Sequence, residues 1–176
     1  MKRIVASILD LAQHFESLAD NPELYRPNRC PHCSFGKLWN HGCYERKADR
    51  GGGSLNPVPV PRYLCLACGK TCSRLPECLA PRRWYDWLIQ QMVYLDLLAG
   101  FSIRCCSRVH RLSRTTVRRW WRALKQRHDE FAFFLKARFP EWGRTACCTE
   151  FWRMAMDDQP LSRMMFWLDH EGVIVP

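Results

Sequence analysis

Cys30-Pro31-His32-Cys33 and Cys65-Leu66-Ala67-Cys68-Gly69-Lys70 are the two stretches on which the reading of this chain turns. Each is a Cys-x-x-Cys pair, and two residues between thiolates let one tight turn aim both sulfurs at a single tetrahedral ion. Gly69 suits such a turn because glycine takes positive φ at no steric cost. The pairs predict a structural zinc site with Cys30, Cys33, Cys65 and Cys68 as thiolate ligands and Zn²⁺ as the cofactor. Four thiolates close the tetrahedron, which points away from catalysis, since a catalytic zinc keeps an open position.

The interval between the pairs, residues 34–64, is 31 residues long. It exceeds the roughly 15–20 residues of a usual ribbon. The Gly/Ser-rich run Lys47–Ser54 reads as a flexible connector, and the loop at 47–57 accounts for most of the excess. Leu38-Trp39 is expected as a short strand. Val58-Pro59-Val60-Pro61-Arg62-Tyr63-Leu64 is expected as an edge strand at best, because its two prolines cannot donate to a ladder. Upstream, Ile4, Ile8, Leu11, Phe15 and Leu18 recur at helical spacing and predict an amphipathic docking helix over 3–19, ended by Asn21-Pro22. It would pack on the zinc module or on another subunit.

The chain has 176 residues, 11 of them cysteine. An odd count with adjacent pairs at Cys105-Cys106 and Cys147-Cys148 fits a secreted disulfide framework poorly. A reducing cytoplasm with zinc is the better reading. The seven cysteines outside the site are expected as small buried apolar residues. No apolar run approaches the roughly 20 residues of a membrane span. The N-terminus lacks a long apolar stretch and a small-residue cleavage site, so it does not read as a signal peptide.

Charge is unevenly spread. The formal total is +10. Residues 1–79 hold 11 Lys/Arg against 7 Asp/Glu, residues 80–127 hold 11 against 2, and residues 128–176 hold 5 against 8. The middle third therefore carries the electrostatic footprint of a polyanion partner. It is also patterned. From Pro81 onward Trp84, Trp87, Leu88, Met92, Leu95 and Leu98 predict a helix with that apolar face. Gly100 breaks it, Ser102 can cap a second helix over 103–110, and Ser113 can cap a third over 114–127. Helix, short turn and helix of these lengths predict a helix-turn-helix.

On the third helix, Val117, Trp120, Trp121 and Leu124 lie at i, i+3, i+4 and i+7 and predict the core stripe. Thr115, Arg118, Arg119 and Arg122 lie on a neighbouring face, with Arg114 and Thr116 in the first turn, where a recognition helix reaches base edges. Arginine grips guanine with two hydrogen bonds and also holds phosphates. Arg104, Arg108 and Arg111 on the second helix and its turn would add phosphate contacts. So would Arg82, Arg83, Lys125 and Arg127.

The remainder reads as an aromatic, slightly acidic helical region. One helix contains Phe131, Phe134, Leu135 and Phe139 and ends at Pro140. Another contains Phe151, Trp152, Met154, Ala155 and Met156, and a short third contains Met164, Met165, Phe166 and Leu168. Gly172–Val175 could form a strand. No nucleotide-binding phosphate loop and no Gly-x-Ser-x-Gly elbow is present, and Asp157, Asp158, Asp169 and Glu171 read as solvated acids rather than a two-metal site.

These readings divide the chain into an N-terminal docking helix (1–24), a four-cysteine zinc ribbon (25–79), a helix-turn-helix domain (80–127) and an aromatic helical region (128–176). The expected fold is mainly α with a small β zinc ribbon, a helix-turn-helix bundle following the ribbon.

The order of parts resembles a known group. Cys30-Pro-His-Cys33, Arg62-Tyr-Leu-Cys65-Leu-Ala-Cys68-Gly-Lys-Thr71, Leu75-Pro76 and Ser113-Arg-Thr-Thr-Val117-Arg-Arg-Trp120 are similar to the N-terminal zinc-ribbon and helix-turn-helix region of bacterial insertion-sequence transposases. They also resemble small mobile-element proteins that share it. The resemblance covers residues 25–127. It implies binding to element-end or operator DNA through the third helix, with the four cysteines holding zinc. The Asp-Asp-Glu nuclease domain of a full transposase has no counterpart, which implies a non-enzymatic protein.

The expected function is therefore sequence-specific binding of double-stranded DNA, of transposition-related type. The protein would be cytoplasmic and nucleoid-associated in a bacterium. It would self-associate on symmetric sites or work with a separate recombinase or transposase subunit, and would not engage a membrane. Two other readings stay open: a zinc-ribbon helix-turn-helix transcription regulator, and a protein-interaction adaptor for a recombinase. A salt titration on duplex DNA separates the adaptor from the DNA binders.

Overall fold

The computed structural model describes residues 4–5, 7–46, 57–81 and 85–175. The expected connector at 47–54 and the residues Arg82, Arg83 and Trp84 lie outside them. The chain forms two compact units, Met1–Asp86 and Trp87–Pro176. It is mainly helical with two small sheets. No helix among the described residues is long and apolar enough to cross a membrane.

The first unit starts with strand β1 (Ile4–Val5), and helix α1 spans Leu11–Asp20. The helix expected over 3–19 is thus shorter and starts later. Asp10 is extended and its carboxylate accepts the Gln13 N–H at 2.8 Å, while the Gln13 side chain returns to the Leu9 N–H at 2.8 Å. The Asp10 cap, with Gln13 also holding the residue before it, fixes the start of the helix at Leu11. Ile4 and Ile8 match helical spacing, but Ile4 lies in strand β1 and Ile8 is buried in an apolar cluster ahead of the helix. Strand β2 (Leu38–Arg46), β3 (Val58–Cys65), β4 (Thr71–Ser73) and β5 (Leu75–Pro76) follow a 3₁₀ turn at Pro22–Tyr25. β1 pairs in parallel with β5, Ile4 opposite Leu75 and Val5 opposite Pro76, and Glu77 N–H donates to the Ile8 carbonyl at 2.8 Å.

β2, β3 and β4 form an antiparallel sheet in that order, so β3 is central. This corrects the expectation of an edge strand, with a physical reason. β4 pairs with Arg62, Tyr63 and Leu64, so among the described residues, 58–61 have β2 as their one strand neighbour. Pro59 and Pro61 share parity and fall in that open stretch, where no N–H donor is needed. The Pro59 carbonyl is used by His14 Nε2 at 2.7 Å, away from β2. The expected strand at Leu38-Trp39 extends to nine residues, with a register irregularity between Asn40 and Cys43.

β3 feeds two cores. Val58 and Val60 pack with Leu75 and Leu79, joined by Leu11, Phe15 and Tyr44. Tyr63 and Cys65, of opposite parity, pack with Val5, Ile8, Tyr25, Cys30, Leu38 and Cys72, joined by Leu18. The N-terminal segment therefore packs on the cysteine-bearing module of its own chain.

The second unit contains α2 (Trp87–Leu98), α3 (Ile103–Val109), α4 (Arg114–Gln126), α5 (His128–Arg138), α6 (Cys148–Asp158) and α7 (Leu161–His170). Its core is aromatic: Trp87, Trp120, Trp142, Trp152, Phe131 and Phe151 are almost wholly buried. The face of α2 differs from expectation. Leu88 and Met92 are exposed, and Trp87, Gln90, Val93, Tyr94 and Leu97 are buried. The helix is apolar nearly all round, so spacing alone did not select its inner face. Gly172–Val175 is not a strand. Gly172 sits at φ 84° and donates to the Asp169 carbonyl, and Val173 donates to the Leu168 carbonyl. That is the Schellman closure of α7. Asp169, expected as solvated, is buried, whereas Asp157, Asp158 and Glu171 are exposed.

Candidate metal centre and nucleic-acid interface

Two turns of the same design carry the four cysteines. In the first, Ser34 N–H donates to the Cys30 carbonyl at 2.8 Å and Cys30 N–H to the Phe35 carbonyl at 2.8 Å. In the second, Gly69 N–H donates to the Cys65 carbonyl at 3.0 Å and Cys65 N–H to the Lys70 carbonyl at 3.0 Å. The turns are brought together by the sheet, since Leu38 pairs with Cys65 and Leu66 N–H reaches the Lys37 carbonyl at 3.4 Å.

The result is a compact sulfur group. The Sγ atoms of Cys30, Cys33, Cys65 and Cys68 all lie within 4.8 Å of one another. Cys30 and Cys68 are 3.7 Å apart, and Cys33 and Cys65 3.6 Å. Tetrahedral ligands at about 2.3 Å from zinc stand about 3.8 Å from each other, so the spacing fits a metal ion. Backbone N–H groups are already aimed at sulfur, His32 N–H at Cys30 at 3.4 Å among them. The Cys65 thiol is lowered to about 7, first by the Cys68 backbone N–H. At Cys33 the Phe35 N–H pulls down, but desolvation and the neighbouring sulfurs outweigh it and push the thiol up to about 12. Four sulfurs this close cannot all ionise without a cation between them. The group could therefore hold a metal ion, and its donor set suits zinc.

Of the seven other cysteines, Cys72 and Cys106 are buried, and burial pushes both thiols up. Cys43 and Cys147 are exposed, which departs from the expectation of buried apolar residues. His32 and His41 are exposed and lie outside the sulfur group.

The basic helices are set by a second network. Gly100 leaves α2 at φ 96°, and the Ser102 hydroxyl accepts the Cys105 N–H at 3.1 Å to start α3. The connection 110–113 turns on Arg111 at φ 52° and buries Leu112, whose N–H and carbonyl both bond Ser107. His110 Nε2 meets Asp96 at 2.7 Å, tying this corner to α2. Ser113 then caps α4, its hydroxyl accepting the Thr116 N–H at 3.0 Å. Gln90 donates to the Tyr94 hydroxyl at 2.6 Å, and Tyr94 donates to the Trp120 carbonyl at 3.3 Å, so α4 is held at mid-length by α2.

The two sides of α4 differ sharply. Val117, Trp120 and Leu124 have no exposed surface. Trp121, expected with them, is only half-buried and carries Lys125 over its ring at 5.6 Å. Arg114, Thr115, Arg118, Arg119 and Arg122 are all exposed, while Thr116 is half-buried with its hydroxyl 2.9 Å from Ser113 Oγ. Arg104, Arg108 and Arg111 are exposed on α3 and its turn. Residues 99–127 hold nine Lys/Arg and no carboxylate. Arg127 is directed elsewhere, to Glu130 at 2.6 Å and to the Ile174 carbonyl.

The first unit thus carries an antiparallel ribbon with a four-sulfur centre, and the second a helix with one cationic face. Residues 30–120, just over half of the chain, match a family described as a domain of unknown function (DUF6431), and the chain belongs to that family. The match runs from the first cysteine of the sulfur group to Trp120 within α4, so it takes in both features. No curated protein and no solved structure matches.

Proposed function

We propose that this chain is a sequence-specific binder of double-stranded DNA, of mobile-element type and without catalytic activity of its own. In this reading the sulfur group holds Zn²⁺ and stabilises the first unit. Helices α2–α4 act as a helix-turn-helix, and α4 enters the major groove. Arg118, Arg119 and Arg122 face bases and phosphates, Arg114 and Thr115 meet the groove at the first turn, and Arg104, Arg108 and Arg111 grip the flanking phosphates. The mobile-element assignment rests on the resemblance of residues 25–127 to transposase N-terminal regions. The protein would act in the bacterial cytoplasm on the nucleoid, self-associated or beside a separate recombinase or transposase subunit.

One observation carries the reading. A single 13-residue helix buries Val117, Trp120 and Leu124 completely and exposes Arg114, Arg118, Arg119 and Arg122 with no acid on the helix. Its first turn also lacks an acidic residue, so no carboxylate competes with a phosphate at the positive helix end. Repulsion among unscreened arginines is relieved by a polyanion.

The test is a selection from a random duplex library, followed by a salt titration on the winner. Enrichment of one motif, with affinity falling steeply as salt rises, supports the proposal. Binding with no motif preference removes the sequence-specific part, and no binding at low salt removes the whole. Incubation with Mg²⁺ and supercoiled DNA checks the non-enzymatic part, which reproducible cleavage overturns.

A further inference from the structure

Val58 and Val60 pack into a core, but farther along the same side of the β2-β3-β4 sheet, next to the cysteine turns, the surface has no role in the reading above. Trp39, Leu64 and Thr71 stand in one cross-strand row and so point to the same side of the sheet. Arg62 lies two residues before Leu64 on that side, with its guanidinium 5.4 Å over the Tyr44 ring. Lys37 and Leu66, joined by their backbone hydrogen bond, extend the face toward the cysteine turns.

Trp39 is 65% exposed, and Leu66 47%. A tryptophan is the largest apolar side chain, and leaving it on a sheet surface forgoes the burial that usually justifies it. The segments that form the sheet and the cysteine turns are strongly basic. Residues 29–46 and 57–74 contain Arg29, Lys37, Arg46, Arg62, Lys70 and Arg74, and Glu45 as their one carboxylate. This surplus exceeds the two negative charges that four thiolates leave around a divalent cation. A flat aromatic plane flanked by cations is the arrangement on which bases stack while the backbone follows positive charge. Bases inside a duplex are already stacked and offer no face, so the occupant must be unpaired.

We infer that this sheet face binds single-stranded DNA, with Trp39 as the stacking platform and Lys37 and Arg62 as phosphate contacts. The choice of DNA over RNA rests on the duplex-binding reading of α4; the site itself does not.

The test uses the full chain, loaded with zinc, and fluorescence anisotropy of three labelled probes: oligo-dT, oligo-U and a duplex. The expected result is oligo-dT binding that weakens roughly 5- to 100-fold in Trp39→Ala, from loss of one stacked base. Trp39→Phe keeps most of the affinity, and Lys37→Glu lowers it with unchanged far-ultraviolet circular dichroism. Duplex affinity stays unchanged in Trp39→Ala and falls in the Arg118→Ala/Arg119→Ala variant, so the two faces fail separately. Oligo-dT binding that is absent, or equal in wild type and Trp39→Ala, overturns the site. Tighter binding of oligo-U than oligo-dT overturns the DNA assignment. Retained zinc and melting temperature in Trp39→Ala exclude a folding cause; if that variant unfolds, Lys37→Glu and Trp39→Phe decide.

Discussion

Ser34 and Gly69 occupy the same corner of the two cysteine turns. Their φ angles are 61° and 66°, and each donates its N–H to the carbonyl of the first cysteine in its turn. One turn uses the residue suited to that conformation and the other tolerates a residue that is not. An L-residue pays about 1–2 kcal/mol in the left-handed region, and glycine loses about 0.5–1 kcal/mol more entropy on folding. Gly69→Ala is therefore expected to destabilise the first unit by about 1 kcal/mol. No atom lies within 4 Å of the added Cβ, so the cost is conformational alone. Ser34→Gly is expected to be neutral to mildly stabilising. Thermal melting of the two variants measures both; equal melting points for Gly69→Ala and wild type would contradict the account.

Metal loading gives the second expectation. Cys30 and Cys65 belong to the same buried cluster as Tyr25, Leu38 and Tyr63. If the four sulfurs hold zinc, one ion per chain should appear by mass spectrometry or elemental analysis. A strong chelator should then remove sheet signal from the first unit while leaving most of the helical signal of the second, because ion binding is folding free energy in such modules. A circular dichroism spectrum unmoved by complete metal removal would show that the apolar clusters suffice.

The third concerns α4. Arg118→Ala together with Arg119→Ala should weaken duplex binding and reduce the salt slope by about two, since each lost phosphate contact lowers it by about one. Both side chains are exposed, so the melting temperature should hold. Unchanged binding by the double variant rules out this face as the reader.

Trp120 and Trp121 offer an internal control. Trp120 is wholly buried and Trp121 half-buried. Trp120→Ala should cost about 3–5 kcal/mol, as for other fully buried large aromatics. Trp121→Ala should cost clearly less. Denaturant unfolding of the two variants compares them, and equal losses would mean that both rings share the core.

A pH effect follows from His14. Its ring lies buried between α1, Tyr25 and β3, with Nδ1 2.5 Å from the Tyr25 hydroxyl and Nε2 2.7 Å from the Pro59 carbonyl. A proline carbonyl can only accept, so Nε2 carries the proton and neutral Nδ1 accepts from Tyr25. Burial lowers the His14 pKa below its ordinary 6.5, against a smaller upward pull from the Pro59 carbonyl. The unfolded chain then binds a proton that the folded chain resists. This contribution to stability is full above the unfolded pKa and is lost as pH falls from about 6.5 toward the lower folded value. Urea midpoints measured from pH 7.5 to 5 should drop, and His14→Gln should flatten that drop. A slope unchanged by the substitution would assign it to other groups.

The parts legible in the sequence are those encoded locally. The Cys-x-x-Cys turns, the Ser102 and Ser113 caps and the two-sided character of α4 each rest on residues within a few positions of one another. The parts that were not legible depend on distant partners. Ile4 and Ile8 fit a helical period, yet Leu75 and Glu77, some 70 positions on, draw that stretch into strand pairing. Leu88 and Met92 looked like core, yet the polar Gln90 and Tyr94 point inward, where Gln90 donates to Tyr94 and Tyr94 to the Trp120 carbonyl. The prolines of β3 signalled an unpaired edge correctly, but for half of the strand, since the length of β4 is what limits its pairing. Trp39 carried no period at all, and its cross-strand row with Leu64 and Thr71 becomes visible only with the register known.

The bond from Tyr94 to the Trp120 carbonyl bears on aim. It grasps the backbone of α4 rather than a side chain, so it opposes rolling of the helix about its own axis. With 3.6 residues per turn, a roll of one residue would swing the cationic face by about 100°. On the proposed reading, a hydroxyl that never meets DNA would decide which base edges the arginines can address. Its loss would blur discrimination between sequences before it weakened the grip on any of them.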